Sequence, residues 1–177
     1  MPKKTVFVTV GTTLFEDLID GVLSDTALDW MIANTYTNLV LQYGKGRFPT
    51  FNYADRDELD ITLYDFRPSL ERDMDSADLI ICHAGAGTLM EALTKGKTVL
   101  TVINTKLMNN HQTELAYALG KSNHLLVVEE PSQLYLASTW ERLESFVPVP
   151  FEPSDEHDIP RLLDTFLGVA KSTKKDE

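Results

Sequence analysis

The spacing of apolar positions along this chain changes repeatedly between that of strands and that of helices. Val6, Phe7, Val8 and Val10 form a largely β-branched run that Gly11 stops, which predicts a buried strand. In "TLFEDLIDGVLSD" the residues Leu14, Phe15, Leu18, Ile19, Val22 and Leu23 fall at helical spacing, and Thr13-x-x-Glu16 predicts a capping box at its start. "NLVLQYGKG" predicts a second strand ending in a glycine turn, "FNYADRDEL" an irregular polar stretch, and "DITLYDF" a third strand. Pro68 marks a helix start before "SLERDMDSA", and "DLIIC" is the next strand. "TLMEALTKG" predicts a short helix closed by Gly96, followed by the strand "TVLTVI", the helix "NHQTELAYALG" and the strand "HLLVVEE". "PSQLYLASTWERLESF" predicts a helix. The proline-spaced connector "VPVPFEPSDEHD" then leads to an amphipathic helix, "IPRLLDTFLGVA", and a polar tail, "KSTKKDE".

Strands that are apolar on both faces and alternate with helices predict an α/β fold with a doubly wound, mainly parallel, Rossmann-like sheet. Residues 1–150 form its domain; residues 151–177 are the connector, helix and tail, packing on the domain or on a partner. Ligands of such folds bind beyond the carboxyl ends of the strands, where the strand order reverses. The loops after Val10, Phe66 and Cys82 are therefore expected to hold the function.

Composition narrows the ligand. The chain has 177 residues, 43% of them hydrophobic, enough for one well-buried domain. A formal net charge of −11 leaves no basic patch for nucleic acid, so an anionic ligand must rely on backbone N–H groups, helix ends and a few selected side chains. The single cysteine, Cys82, supports neither a disulfide nor a cysteine-based zinc site and favours a reducing compartment. The N-terminus lacks the apolar stretch of a signal peptide, and every apolar segment is far shorter than the ~20 residues that span a bilayer. A soluble intracellular domain is expected, one that can still dock on a membrane protein.

The chemistry concentrates in "DLIICHAGAGTLMEAL". Gly85 and Gly87 allow a ligand close to the backbone, and the helix start near Thr88 offers unpaired N–H groups to a phosphate or diphosphate. The competing reading is a tight strand–helix turn whose glycines serve packing alone. Met90 stands where a dinucleotide fingerprint has its third glycine, which disfavours an oxidoreductase, and no Gly-Lys-Ser/Thr follows to make a P-loop. Glu91 either completes a capping box with Thr88 or accepts hydrogen bonds from a ribose diol. His83 is a base, a sugar ligand or a turn residue satisfied by backbone; Cys82 beside it points to the opposite face. In "MNNHQTEL", Asn110 fits a helix cap, while His111, Gln112 and Glu114 are neutral or acidic groups suited to sugar hydroxyls. The pairs Asp55/Asp57 and Asp73/Asp75 read as solvated charges rather than a metal chelate.

Taken together and in order, "FVTVGTTLFEDLI", "LVLQYGKG", "ICHAGAGTLMEAL" and "LMNNHQTELA" resemble the catalytic subunit of the eukaryotic UDP-N-acetylglucosamine transferase of dolichol-linked oligosaccharide synthesis, over about residues 4–130. More distantly they resemble the C-terminal half of the bacterial transferase that makes lipid-linked peptidoglycan precursor. The resemblance implies the donor half of a GT-B glycosyltransferase. The acceptor half is then a separate membrane-anchored subunit, which recruits the chain to the cytosolic face of the endoplasmic reticulum. It implies that Gly11 and Thr12 line the donor–acceptor cleft, that Phe66 and Arg67 bind uracil, and that Ala86, Gly87 and Thr88 give N–H groups to the diphosphate. It further implies that Glu91 holds the ribose and that His111 and Gln112 read the N-acetylglucosamine. The implied reaction is an inverting transfer to a lipid-pyrophosphate sugar, without bound metal or other cofactor. His83 is this chain's candidate base, although comparable enzymes take the base from the acceptor half. A non-catalytic nucleotide-sugar-binding regulatory subunit is the rival reading.

Overall fold

The computed structural model describes residues 3–51, 56–106 and 110–152, without the side chains of residues 110–112. Its strands are β1 (Lys4–Thr9), β2 (Tyr36–Gln42), β3 (Asp60–Tyr64), β4 (Leu79–His83), β5 (Thr98–Val102) and β6 (Leu126–Val128). Its helices are α1 (Glu16–Val22), α2 (Asp25–Ala33), α3 (Glu71–Ser76), α4 (Ala86–Thr94), α5 (Asn110–Lys121) and α6 (Ala137–Glu144). The strands form one sheet in the order β3-β2-β1-β4-β5-β6, and every pairing is parallel. The doubly wound fold expected from the sequence is thus present.

Two-residue alternation sends the strand side chains to opposite faces. Val6, Val8, Leu41, Ile81 and Leu100 pack with Leu18, Leu28, Met31 and Trp140 of α1, α2 and α6. Phe7, Ile80, Cys82 and Val99 pack on the other face with Met74, Leu89, Leu93 and Leu115 of α3, α4 and α5. Each such large side chain, fully buried, contributes roughly 1.5–3 kcal/mol. The order reverses between β1 and β4: one half of the chain winds outward to β3 and the other to β6.

Four local expectations are corrected. The helix expected over residues 13–25 is shorter, α1 alone, and it is followed by a helix the sequence reading missed, α2, whose start is capped where the Ser24 hydroxyl accepts the Ala27 N–H at 3.4 Å. Thr13 caps nothing; its hydroxyl donates to the Val10 carbonyl at 2.8 Å, and α1 begins after Phe15 without a side-chain cap. The helix expected over residues 131–146 is a 3₁₀ turn (Pro131–Tyr135) followed by α6. There the Gln133 and Leu134 carbonyls, which a continuous helix would use, accept from the Thr139 hydroxyl and the Trp140 indole at 2.7 and 2.8 Å. Finally, α4 begins at Ala86 rather than at Thr88, with Gly85 at its cap position.

The amphipathic helix and tail expected over residues 159–177 lie outside the described residues. Among the described residues no helix is long and apolar enough to cross a membrane.

Candidate functional site

The carboxyl ends of β1 and β4 meet at the reversal point. Chain leaving β1 turns at Gly11, whose φ of +59° is a left-handed conformation that side chains disfavour. Chain leaving β4 turns at Gly85. Between them sits His83, only 7% exposed. A Cβ on Gly85 would lie 2.3 Å from His83 Nε2, and one on Gly11 would lie 2.9 Å from Cε1, so both glycines are required to house this ring. Nδ1 is buried without a hydrogen-bond partner. Burial, the larger influence, holds the imidazole below its ordinary 6.5, and the Thr9 backbone opposes that shift.

Gly87 differs from Gly85. Nothing lies within 4 Å of a Cβ built there, so no packing demand explains it. It sits in the first turn of α4, whose leading N–H groups, those of Ala86, Gly87 and Thr88, have no intrahelical acceptor. No side chain caps that helix start. With the positive end of the helix dipole behind them, these three donors form a ready anion site beside the reversal point. Because Thr88 stands inside the first turn rather than at the cap, the capping-box reading of Thr88 and Glu91 is overturned; Glu91 is exposed one turn in.

The loop after β3 is built from side chains. Arg67 Nη1 donates to both Asp73 carboxylate oxygens at 2.9 Å, its guanidinium lies 3.8 Å from the Tyr64 ring centre, and the Tyr64 hydroxyl donates to Asp73 at 2.6 Å. Burial, then the Asp73 carboxylate, raises the Tyr64 pKa far above its ordinary 10.0. Asp73 is therefore buried and paired, not the solvated charge expected, whereas Asp75 is exposed and bound to Lys95 at 2.6 Å. Phe66 stands 66% exposed beside this cluster, in a position to offer a ring face to a ligand.

One residue that the sequence reading passed over joins the two loops. Gln42, at the end of β2 and 2% exposed, accepts the Thr9 hydroxyl at 2.6 Å and donates to the Gly11 and Asp65 carbonyls, each at 2.8 Å. Thr9 in turn accepts the Gly11 N–H at 3.0 Å. A buried amide at the carboxyl end of a strand of Leu39, Val40 and Leu41 was the available signal.

The remaining predicted residues divide. Thr12 is exposed in the loop after β1. The side chains of His111 and Gln112 lie outside the described residues, as does Asp55; α5 already includes Asn110, and Asp57 is exposed. Cys82 is fully buried, its thiol pushed up to about 12, which removes it as a nucleophile. Gly11, His83, Gly85 and the start of α4 come together; Phe66 and Arg67 follow β3, two strands from β1 and three from β4, and their loop is linked to Gly11 through Gln42.

A parallel sheet of this order, with an uncapped helix start at its reversal point, defines a Rossmann-like domain of the kind that binds nucleotides. Comparison with known proteins narrows that class. The glycosyltransferase family 28 C-terminal domain matches residues 5–158, and the chain belongs to that family. It is 46% identical over 122 residues to the Homo sapiens UDP-N-acetylglucosamine transferase subunit ALG13, a match that covers 69% of this chain and 11% of the human protein. The solution structure of an ALG13 superposes with a TM-score of 0.67 at 22% identity, covering 91% of this chain and 95% of that one. The crystal structure of Acinetobacter baumannii MurG gives a TM-score of 0.59 at 18% identity, covering 94% of this chain but only 50% of that one. The structural likenesses establish the fold.

Proposed function

We propose that this chain is the donor-binding subunit of an inverting glycosyltransferase. It moves N-acetylglucosamine from UDP-N-acetylglucosamine to dolichol-pyrophosphate-N-acetylglucosamine, in concert with a membrane-anchored acceptor-binding subunit. The observation that carries this reading is the uncapped start of α4, with the N–H groups of Ala86, Gly87 and Thr88 beside the reversal point. The human relative, a UDP-N-acetylglucosamine transferase subunit by name, supports the choice of sugar nucleotide.

In this reading Phe66 covers the uracil and Arg67, held by Asp73, donates to it; Glu91 accepts from the ribose diol; His111 and Gln112 recognise the N-acetyl sugar. The acceptor 4-hydroxyl attacks the anomeric carbon from the face opposite the diphosphate, the carbon–oxygen bond to UDP breaks, and the N–H groups of α4 stabilise the charge that collects on the leaving diphosphate. Preorganised donors of this kind are worth roughly 3 kcal/mol each when aimed at developing charge. His83 is neutral near pH 7, yet its ring is enclosed by Gly11 and Gly85. We therefore assign the base to the partner and treat His83 as the side chain that shapes the crevice floor. Residues 1–150 are the donor domain and residues 151–177 the docking segment, which holds the chain at the cytosolic face of the endoplasmic reticulum.

The test is co-expression with the membrane subunit and a transfer assay on a lipid-pyrophosphate acceptor. Transfer by the pair and little by the chain alone is expected, because half a cleft cannot orient two substrates. A pair that binds donor but stays active when Ala86–Thr88 donor contacts are disrupted would make the chain a regulatory nucleotide-sugar binder instead.

A further inference from the structure

Gln42 spans the two halves of the candidate site. Its side chain uses three hydrogen bonds, and the three partners belong to different segments: Thr9 at the end of β1, Gly11 in the loop after β1, and Asp65 in the loop after β3. The Asp65 carbonyl belongs to the peptide that leads directly into Phe66 and Arg67, and the Gly11 carbonyl lies in the turn that encloses His83. The amide orientation is fixed by chemistry, since turning it over would set its oxygen against two carbonyl oxygens. A leucine of similar size would fill the same space without a desolvation cost, so packing does not account for an amide here.

Among the described residues no other side chain bonds to both loops. The loop after β3 is held on its far side by Arg67, Asp73 and Tyr64 and on its near side by Gln42. We propose that Gln42 is a positioning residue: it fixes the uracil-binding loop against the diphosphate crevice, so that one nucleoside diphosphate spans both without either loop moving. This rests on the donor-site reading above. A ligand that bridges two rigidly related subsites gains affinity from their fixed spacing, and one that occupies a single subsite does not.

The discriminating experiment compares UDP, uridine and inorganic pyrophosphate as ligands of the full chain, wild type and Gln42→Leu, by titration. The expected result is UDP binding weakened by about tenfold or more, with uridine and pyrophosphate each changed by less than about twofold. Val22→Ala, a core truncation in α1 on the opposite sheet face, should lower the melting temperature and leave UDP affinity intact. Thr9→Val preserves shape while freeing both Gln42 Oε1 and the Gly11 N–H, and should weaken UDP by about threefold or more; it decides the matter if Gln42→Leu does not fold. Equal UDP affinity in wild type and the folded variants would overturn the role of Gln42 alone. So would an equal weakening of all three ligands, which is the mark of general loosening. Absence of UDP binding by the wild-type chain would overturn the donor-site reading and this assignment with it.

Discussion

The crevice between β1 and β4 and the loop after β3 both lie at the carboxyl end of one sheet, and they are built in opposite ways. The crevice is made by leaving things out: glycines at 11, 85 and 87, and helix N–H groups with no cap. The loop is made by filling in, with Arg67, Asp73 and Tyr64 bound to one another at 2.6–2.9 Å. A charged ligand needs donors that are not already used, whereas a flat base needs a side chain that is held still. The difference teaches that glycines here have two separate duties. Gly85 accommodates His83, and Gly87 accommodates nothing that the protein itself supplies.

The strongest way to break this contrast is Gly85→Ala. A methyl group 2.3 Å from His83 Nε2 forces the ring or the start of α4 to shift. The variant should lose roughly 2 kcal/mol, by analogy with overpacked cores, and lose donor binding as well; thermal melting and donor titration read the two effects. An unchanged melting temperature would show that the ring is not confined.

Arg67→Ala should act less on stability and mainly on donor use. It leaves the buried Asp73 with the Tyr64 hydroxyl as its remaining partner, at about 1 kcal/mol given the half-exposed arginine. Donor KM should rise while the turnover of bound donor changes little. A loss confined to stability would return Arg67 to a purely structural role.

A weaker effect depends on pH. Because burial depresses the His83 pKa below 6.5, the unfolded chain takes up its proton first as pH falls. Above about 6.5 the residue is neutral in both states and contributes no slope; below it, stability falls with decreasing pH until the folded-state pKa is passed. His83→Asn should flatten that part of the stability profile, and an unaltered profile would contradict the assignment.

Smallest of all is the expected stability change for Gly87→Ala. With open space around the added methyl and a helical backbone, stability should stay level or rise by up to about 1 kcal/mol. Donor affinity should nevertheless fall, because the methyl enters the space the ligand needs. A stabilised variant with full affinity would end the claim that Gly87 is kept for a ligand.

The sheet was legible because parallel strands buried on both faces stand out as unbroken apolar runs, as in "DLIIC" and "TVLTVI". The glycine loop was legible for the same reason: it interrupts such a run. What escaped depends on side chains choosing backbone partners across the fold. Ser24 ends one helix and begins another by a local hydrogen bond, which helical spacing alone does not reveal. Thr139 and Trp140 take carbonyls from a neighbouring turn. Asp73 looked solvated because its partners, Arg67 and Tyr64, are brought to it only when β3 and α3 pack. Gln42 was hidden because its partners lie on two distant stretches of chain, Thr9 and Gly11 at and just after the end of β1 and Asp65 after β3.

The central claim is that the uncapped start of α4 receives the diphosphate of a uridine diphosphate sugar. Amide-resolved NMR titration of the full chain with UDP-N-acetylglucosamine tests it directly, and suits a weakly binding donor half. The account predicts saturable shifts that are largest at the N–H groups of Ala86, Gly87 and Thr88 and extend to Gly11, with Phe66 and Arg67 responding in the same concentration range. Saturable shifts centred instead on the acidic hollow of Asp17, Asp20 and Glu130, or no shift at the start of α4, would contradict it.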